Sequence, residues 1–204
     1  MMNMFLSSSF VDVLDLFKTS TSEQLVGKSV TFIPTASYVE EITHYVDAAK
    51  SAFTSLGITV DKLDVSTAPF SAIRETLNKN DYIYVSGGNT FFLLQELRKS
   101  GADQLIIEQI QKGKLYIGES AGSIIMAPSI TYIEHMDDKA KGTSLSDHKG
   151  LGLIQGYPVP HVGHAYFNES VEQIIEKYQS TLNLLPISNK QAIFVTEADV
   201  IIKG

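Results

Sequence analysis

The sequence predicts an α/β protein: a doubly wound, mostly parallel open sheet with helices on both faces, followed by a β-rich C-terminal third. Two observations carry this. Short apolar runs alternate with longer helical patterns through the first two thirds of the 204 residues, and that alternation gives parallel strands joined by crossover helices. No internal repeat, low-complexity linker or compositional break divides the chain, so one domain over residues 1–204 is expected. Right-handed crossovers then distribute the helices over both faces of the sheet.

The elements follow in order. "NMFLSS" reads as a first strand and "FVDVLDLF" as a helix. "SVTFIPTA" is a β-branched buried strand ending at Pro34. "YVEEITHYVDAAKSAFTSLG" reads as one long amphipathic helix with Val39, Ile42, Val46, Ala49 and Phe53 on its apolar stripe and Gly57 as its stop. "ITVDKLDV" is the next strand, "FSAIRETLNK" a helix, "DYIYVSGG" a strand, and "TFFLLQELRKSG" and "ADQLIIEQIQKG" two helices. "KLYIG" is a strand and "AGSIIMA" a short helix. Beyond it the strand-like runs "SITYIE", "YPVPHV", "LLPIS", "QAIFVTE" and "VIIKG" surround one clear helix, "NESVEQIIEKYQS".

Composition narrows the function. Hydrophobic residues are 44% and charged residues 19% of the chain, a soluble globular balance. The formal net charge of -7, with no basic cluster, argues against nucleic acid as a partner. The sequence holds no cysteine, which removes disulfides, thiolate catalysis and cysteine-ligated metals. "MMNMFLSSSF" lacks the basic and apolar regions of a signal peptide, and no apolar run reaches the roughly 18–20 residues that cross a bilayer. A cytoplasmic protein without membrane contact is expected. No metal or other cofactor is called for, and a monomer and a homodimer are equally compatible with the sequence.

The chemistry is concentrated in "LYIGESAGSII", residues 115–125. A Gly-x-Ser-x-Gly pattern between a strand and a helix is a nucleophile elbow. Gly118 and Gly122 remove side chains that would collide in a tight turn, Ser120 projects from its tip, and the Ala121 N–H is free at the helix start to stabilise an oxyanion. A serine needs a base, and the five histidines are His44, His135, His148, His161 and His164. His161, held after the prolines of "YPVPHV", is favoured, with His164 its rival. Asp137 and Asp138 lie between serine and histidine and are candidates for the acid that orients the imidazole. In "VSGGNTFFLL" the dinucleotide and P-loop glycine patterns are both missing; the Gly88 N–H is read instead as a second oxyanion donor.

Taken together, "YVSGGNTFFLLQEL" at 84–97, "IGESAG" at 117–122 and "LGLIQGYPVPH" at 151–161 resemble the peptidase E family of serine peptidases, whose best-known members are α-aspartyl dipeptidases. "FIPTAS" and "LGITVDKLDV" extend the likeness over nearly the whole chain. The resemblance implies a fold related to class I glutamine amidotransferase domains. It implies Ser120 as nucleophile, His161 as general base, Asp137 as the acid, Gly88 and Ala121 as the oxyanion hole, and Asn89 lining the pocket. Near the C-terminus Asn189 stands where a carboxylate could be wanted, and Glu197 is the nearby acid. Aspartyl dipeptidases grip their substrate with a basic residue beyond the histidine. Here the only arginines are Arg74 and Arg98, and "HVGHAYFNESVEQ" offers only His164. Glu119, beside the nucleophile, is expected to bind a substrate's α-amino group or to face solvent.

The expected activity is hydrolysis of short peptides through an acyl-enzyme. Its rivals are an esterase of the α/β-hydrolase type, a cyanophycinase-like hydrolase, and an inactive small-molecule-binding protein of the same fold. The esterase is disfavoured by the short chain and the missing His-Gly-Gly-Gly motif.

Overall fold

The computed structural model describes residues 2–21 and 24–204; Met1, within the stretch read as lacking a signal peptide, lies outside them. Strands β1 (Met2–Ser7), β2 (Ser29–Ile33), β3 (Thr59–Lys62), β4 (Tyr82–Val85), β5 (Leu115–Glu119), β8 (Ala192–Thr196) and β9 (Val200–Lys203) form one seven-stranded sheet in the order β3-β2-β4-β5-β1-β8-β9. The first five run parallel; β8 lies antiparallel to β1, and β9 to β8. Strands β6 (Tyr157–Val159) and β7 (Leu184–Pro186) make a separate parallel pair.

Helices α1 (Leu14–Ser20), α2 (His44–Ser55), α3 (Phe70–Lys79), α4 (Thr90–Ser100), α5 (Ala102–Gln111), α6 (Ala121–Ile124) and α7 (Asn168–Tyr178) surround these sheets. Strand periodicity divides the core. Met4, Leu6, Ile83, Val85 and Tyr116 face one side, against Ile73 of α3, Leu93 and Leu97 of α4 and Ile106 of α5. Phe5, Phe32, Tyr84 and Ile117 face the other, against Phe17 of α1 and Phe53 of α2. That second side is a ring cluster: Phe10 stacks on Phe53 at 4.5 Å, and Phe32 on Tyr84 at 4.7 Å. A third cluster seats α7 on Phe91, Ile124, Tyr132 and Val159.

Two expected elements differ. The long helix expected from Tyr38 begins only at His44; Thr35–Val39 is a 3-10 turn, and Ile42, read as part of the buried stripe, is 61% exposed. The expected strand "SITYIE" is a 3-10 turn, Thr131–Ile133. Its consecutive Tyr132 and Ile133 are both buried in the third cluster, which a turn permits and a strand, sending neighbours to opposite faces, does not.

The connection from β2 runs outward to β3, whereas that from β4 runs the other way, through α4 and α5, to β5. This reversal opens a crevice at the carboxyl ends of β2 and β4, the place where open α/β sheets bind ligands. Ser120 lies at the end of the adjacent β5.

Candidate active site

Ser120 has φ 47° and ψ -107°, a strained conformation for a residue with a side chain. The fold holds it there by backbone bonds: its N–H donates to Ser7 O at 2.9 Å, and its carbonyl accepts from Ser123 N at 2.8 Å and Ile124 N at 2.9 Å. The flanking glycines are required by close approach. A Cβ on Gly118 would stand 2.6 Å from Gly122 O, and one on Gly122 would stand 2.2 Å from Val85 O.

Ser120 Oγ lies 2.9 Å from His161 Nε2, and His161 Nδ1 lies 3.0 Å from Asn189 Oδ1. The small sheet aligns the last two. Val159 of β6 pairs with Pro186 of β7, and the ladder continues with Ile187 N to Val159 O and Val162 N to Ile187 O. Residues two and three beyond that register therefore meet. His161 takes φ 67°, its N–H donates to Ser8 Oγ at 3.0 Å, and its ring stacks on Phe167 at 4.3 Å and 15°. Asn189 Oδ1 can only accept, so it fixes the proton on Nδ1 and turns the Nε2 lone pair toward Ser120. Burial pushes the imidazole down to about 4, with the Asn189 bond pulling it up and His164 nearby pushing it down. At neutral pH the ring is uncharged, with a lone pair free to accept a proton.

Ala121 follows the serine, and Gly88 follows Gly87, where a Cβ would stand 3.2 Å from Ser120 Cβ. Gly88 has φ 132° and packs so closely on the β2 loop that a Cβ would stand 2.2 Å from Ala36 C and O. Among the described residues neither the Gly88 N–H nor the Ala121 N–H donates to a backbone acceptor; Ala121 is the first residue of α6, where a helix leaves its N–H groups free.

The remaining predicted residues are placed differently from expectation. Asp137 does not meet His161; its Oδ2 accepts the Thr90 N–H at 2.8 Å and anchors the start of α4. Burial pushes its carboxyl up to about 6, with the Thr90 N–H bond pulling it down and Glu40 adding to the rise. Asp138 accepts from Ala140 N at 2.9 Å, also away from the imidazole. Asn89 is buried with its amide committed: Oδ1 accepts from Phe92 N at 3.0 Å and Nδ2 donates to Asp138 O at 3.1 Å, so it caps α4 and is not free to line a pocket. Glu119 faces neither a substrate amine nor solvent. It is 3% exposed, and accepts from Phe10 N at 2.8 Å and from Tyr84 OH. Burial raises its carboxyl and these donors lower it. His164 is exposed, its ring 6.3 Å from that of His161.

Among the other histidines, His44 opens α2, His135 lies beside Lys177 and His148 packs on Phe91. Sequence reasoning missed Ser7, Ser8, Asn189 as the ring's partner, and Phe167. Only Asn189 carried a signal, its position in a loop after a short strand. Among the described residues there is no group of three or more His, Asp or Glu disposed to hold a metal, and no helix is long and apolar enough to cross a membrane.

A serine on a strained strand–helix turn, facing a neutral imidazole at the switch edge of an α/β sheet, defines a hydrolase-type site. Comparison with known proteins makes the class specific. The model of peptidase family S51 matches residues 4–203, and the chain belongs to that family. Uncharacterized peptidases of Listeria monocytogenes and Pasteurella multocida are each 50% identical to it, over 203 and 204 residues respectively, covering 100% of this chain and 98% of each relative. A peptidase E of Salmonella arizonae is 39% identical over 148 residues, covering 71% of this chain and 60% of that protein. A crystal structure of a candidate peptidase E protein from Listeria monocytogenes superposes with a TM-score of 0.94 at 50% identity, covering 98% of this chain and 96% of that one. A peptidase from an acI-B1 Actinobacterium shares the fold, with a TM-score of 0.69 at 22% identity over 94% of this chain and 82% of that one. The protein is a peptidase, and hence a hydrolase.

Proposed function

We propose that this peptidase cleaves short peptides, as a dipeptidase, through an acyl-enzyme on Ser120, with His161 as general base and Asn189 in place of the expected acid. The observation that carries this reading is the 2.9 Å contact between Ser120 Oγ and His161 Nε2 at a strained elbow. Ser120 Oγ attacks the scissile carbonyl carbon while Nε2 takes its proton. The oxyanion forms against the N–H groups of Gly88 and Ala121. The C–N bond then breaks, and the leaving amine takes the proton from Nε2. Water attacks the ester and gives a proton to Nε2, and that proton returns to Ser120 as the carboxylic product departs.

The substrate's first side chain is not acidic in this reading. Arg98 is spent on Asp147 at 2.9 Å and Arg74 lies over the Phe70 ring, while Glu40 and Asp137 both act on Tyr45, whose ring edge borders Gly87 beside Ser120.

Fluorophosphonate labelling tests the assignment. The wild type should label and should cleave dipeptides with a neutral first residue faster than aspartyl dipeptides; folded Ser120→Ala and His161→Ala should do neither. Labelling that survives Ser120→Ala would remove Ser120 as nucleophile.

A further inference from the structure

The nucleophile and its base ride on different sheets. Ser120 follows β5 of the seven-stranded sheet, whereas His161 and Asn189 follow β6 and β7 of the small one. Their alignment therefore depends on how the two sheets are held together, and the segment after β1 crosses between them. Ser7 O accepts from Ser120 N and from Ser123 Oγ, both at 2.9 Å, and Ser7 Oγ donates to Gly118 O at 3.1 Å. The end of β1 is thus fastened to the elbow on both sides of the nucleophile. Further along the same segment, the Phe10 N–H is fixed on the Glu119 carboxylate at 2.8 Å.

Ser8 turns its hydroxyl to the small sheet. It is 2% exposed, and the hydroxyl serves both halves of the base. As acceptor it takes the His161 N–H at 3.0 Å. As donor it shares its one proton between Ile187 O and Ser188 O, each at 3.2 Å, directly before Asn189. A hydroxyl accepts and donates at once; a methyl in its place does neither and leaves the His161 N–H without its acceptor. His161 depends on that bond, because its φ of 67° is costly for a residue with a side chain. Its carbonyl is held from the other side by His164 N at 3.0 Å.

We propose that Ser8 is a positioning residue that pins the His161 backbone in its left-handed turn, ties it to the strand end that carries Asn189, and so sets Nε2 on Ser120 Oγ. This rests on the acyl-enzyme reading. Ser8 reaches no reacting atom and acts through His161. Its effect falls on the proton transfer, which needs Nε2 and Oγ in line, and not on the binding of the peptide before reaction.

The test compares wild type, Ser8→Ala and Thr31→Val, each checked for cooperative melting, in fluorophosphonate labelling and dipeptide hydrolysis. Thr31 is the control: its buried hydroxyl bonds Thr76 O and Asn80 Nδ2 at the amino end of β4, away from the elbow. Ser8→Ala should lose about 10- to 100-fold in kcat and in labelling rate with KM within about twofold, because a displacement of about 1 Å costs about 10² in rate. Thr31→Val also loses a buried hydroxyl; it should melt earlier and keep kcat within about threefold. A folded Ser8→Ala with kcat within about threefold of wild type, a loss carried by KM, or an equal loss in Thr31→Val overturns the proposal. If Ser8→Ala does not fold, hydrogen exchange of the wild type decides: the His161 amide should be protected, and a fast-exchanging His161 amide refutes the pin. Failure of the wild type to label at all refutes the acyl-enzyme reading instead, so the two failures are distinct.

Discussion

Replacing Asn189 with aspartate puts a charge where the structure has an amide, 3.0 Å from His161 Nδ1. Two unit charges about 4 Å apart interact by about 4 kcal/mol at the effective dielectric of a protein surface, equivalent to about 3 pKa units. Asn189 is only half-buried, so a carboxylate there keeps part of its hydration and desolvation takes back a fraction of that gain. A net rise of about 1–3 units is expected for the imidazole. Burial now holds His161 at about 4, so the variant should titrate between about 5 and 7. The assay is the pH dependence of kcat/KM on a neutral dipeptide, which reports the free enzyme's base. The acid limb should move up by that amount, and kcat on the alkaline plateau should rise about 10- to 100-fold, because the imidazolium formed in each transition state gains a counter-charge. The tautomer is already correct in the wild type, so the gain is electrostatic alone. An acid limb within about half a unit of wild type, in a folded variant, would refute the reasoning. Either residue 189 does not face Nδ1, or His161 is not the base that the limb reports.

Two further outcomes follow from the geometry. Gly88→Ala drives a Cβ to within 2.2 Å of Ala36 at φ 132°, so it should cost about 1–3 kcal/mol in stability by urea denaturation and at least about 10² in labelling rate; wild-type labelling would remove Gly88 from the oxyanion hole. Asp137, raised by burial from 3.8 to about 6, holds a proton when folded that the unfolded chain has released. Its contribution is therefore full below about pH 4 and is lost as pH rises through about 6, by at most about 3 kcal/mol for a shift of about 2 units. Asp137→Asn should flatten that slope in urea midpoints taken between about pH 4 and 7, and an unchanged slope would show that Asp137 titrates normally.

How much of this site the sequence disclosed depends on the distance over which each contact is encoded. The elbow is local: strand, glycines, serine and helix are consecutive in "LYIGESAGSII", and close approach alone demands both glycines. The sheet was legible for the same reason, since each buried strand carries its own apolar run. The long helix was overread because Val39 and Ile42 match a 3.6 period that the 3-10 turn at Thr35–Val39 interrupts. Glu119 was decidable in principle: counting in twos along β5 puts it with Leu115 and Ile117, against the ring cluster. The ring's partner was not. Asn189 reaches His161 only through the register of β6 on β7, two three-residue strands separated by a helix, and no local pattern sets that register. Preferring a carboxylate followed from what a triad needs electrically, and Asp137 was the acid in chain order. What the fold supplies at Nδ1 is an acceptor without charge. Orientation and charge are therefore separable here: Asn189 does the first, and nothing bonded to the ring does the second. That division is why a single carboxylate at 189 should add to the rate without changing the tautomer.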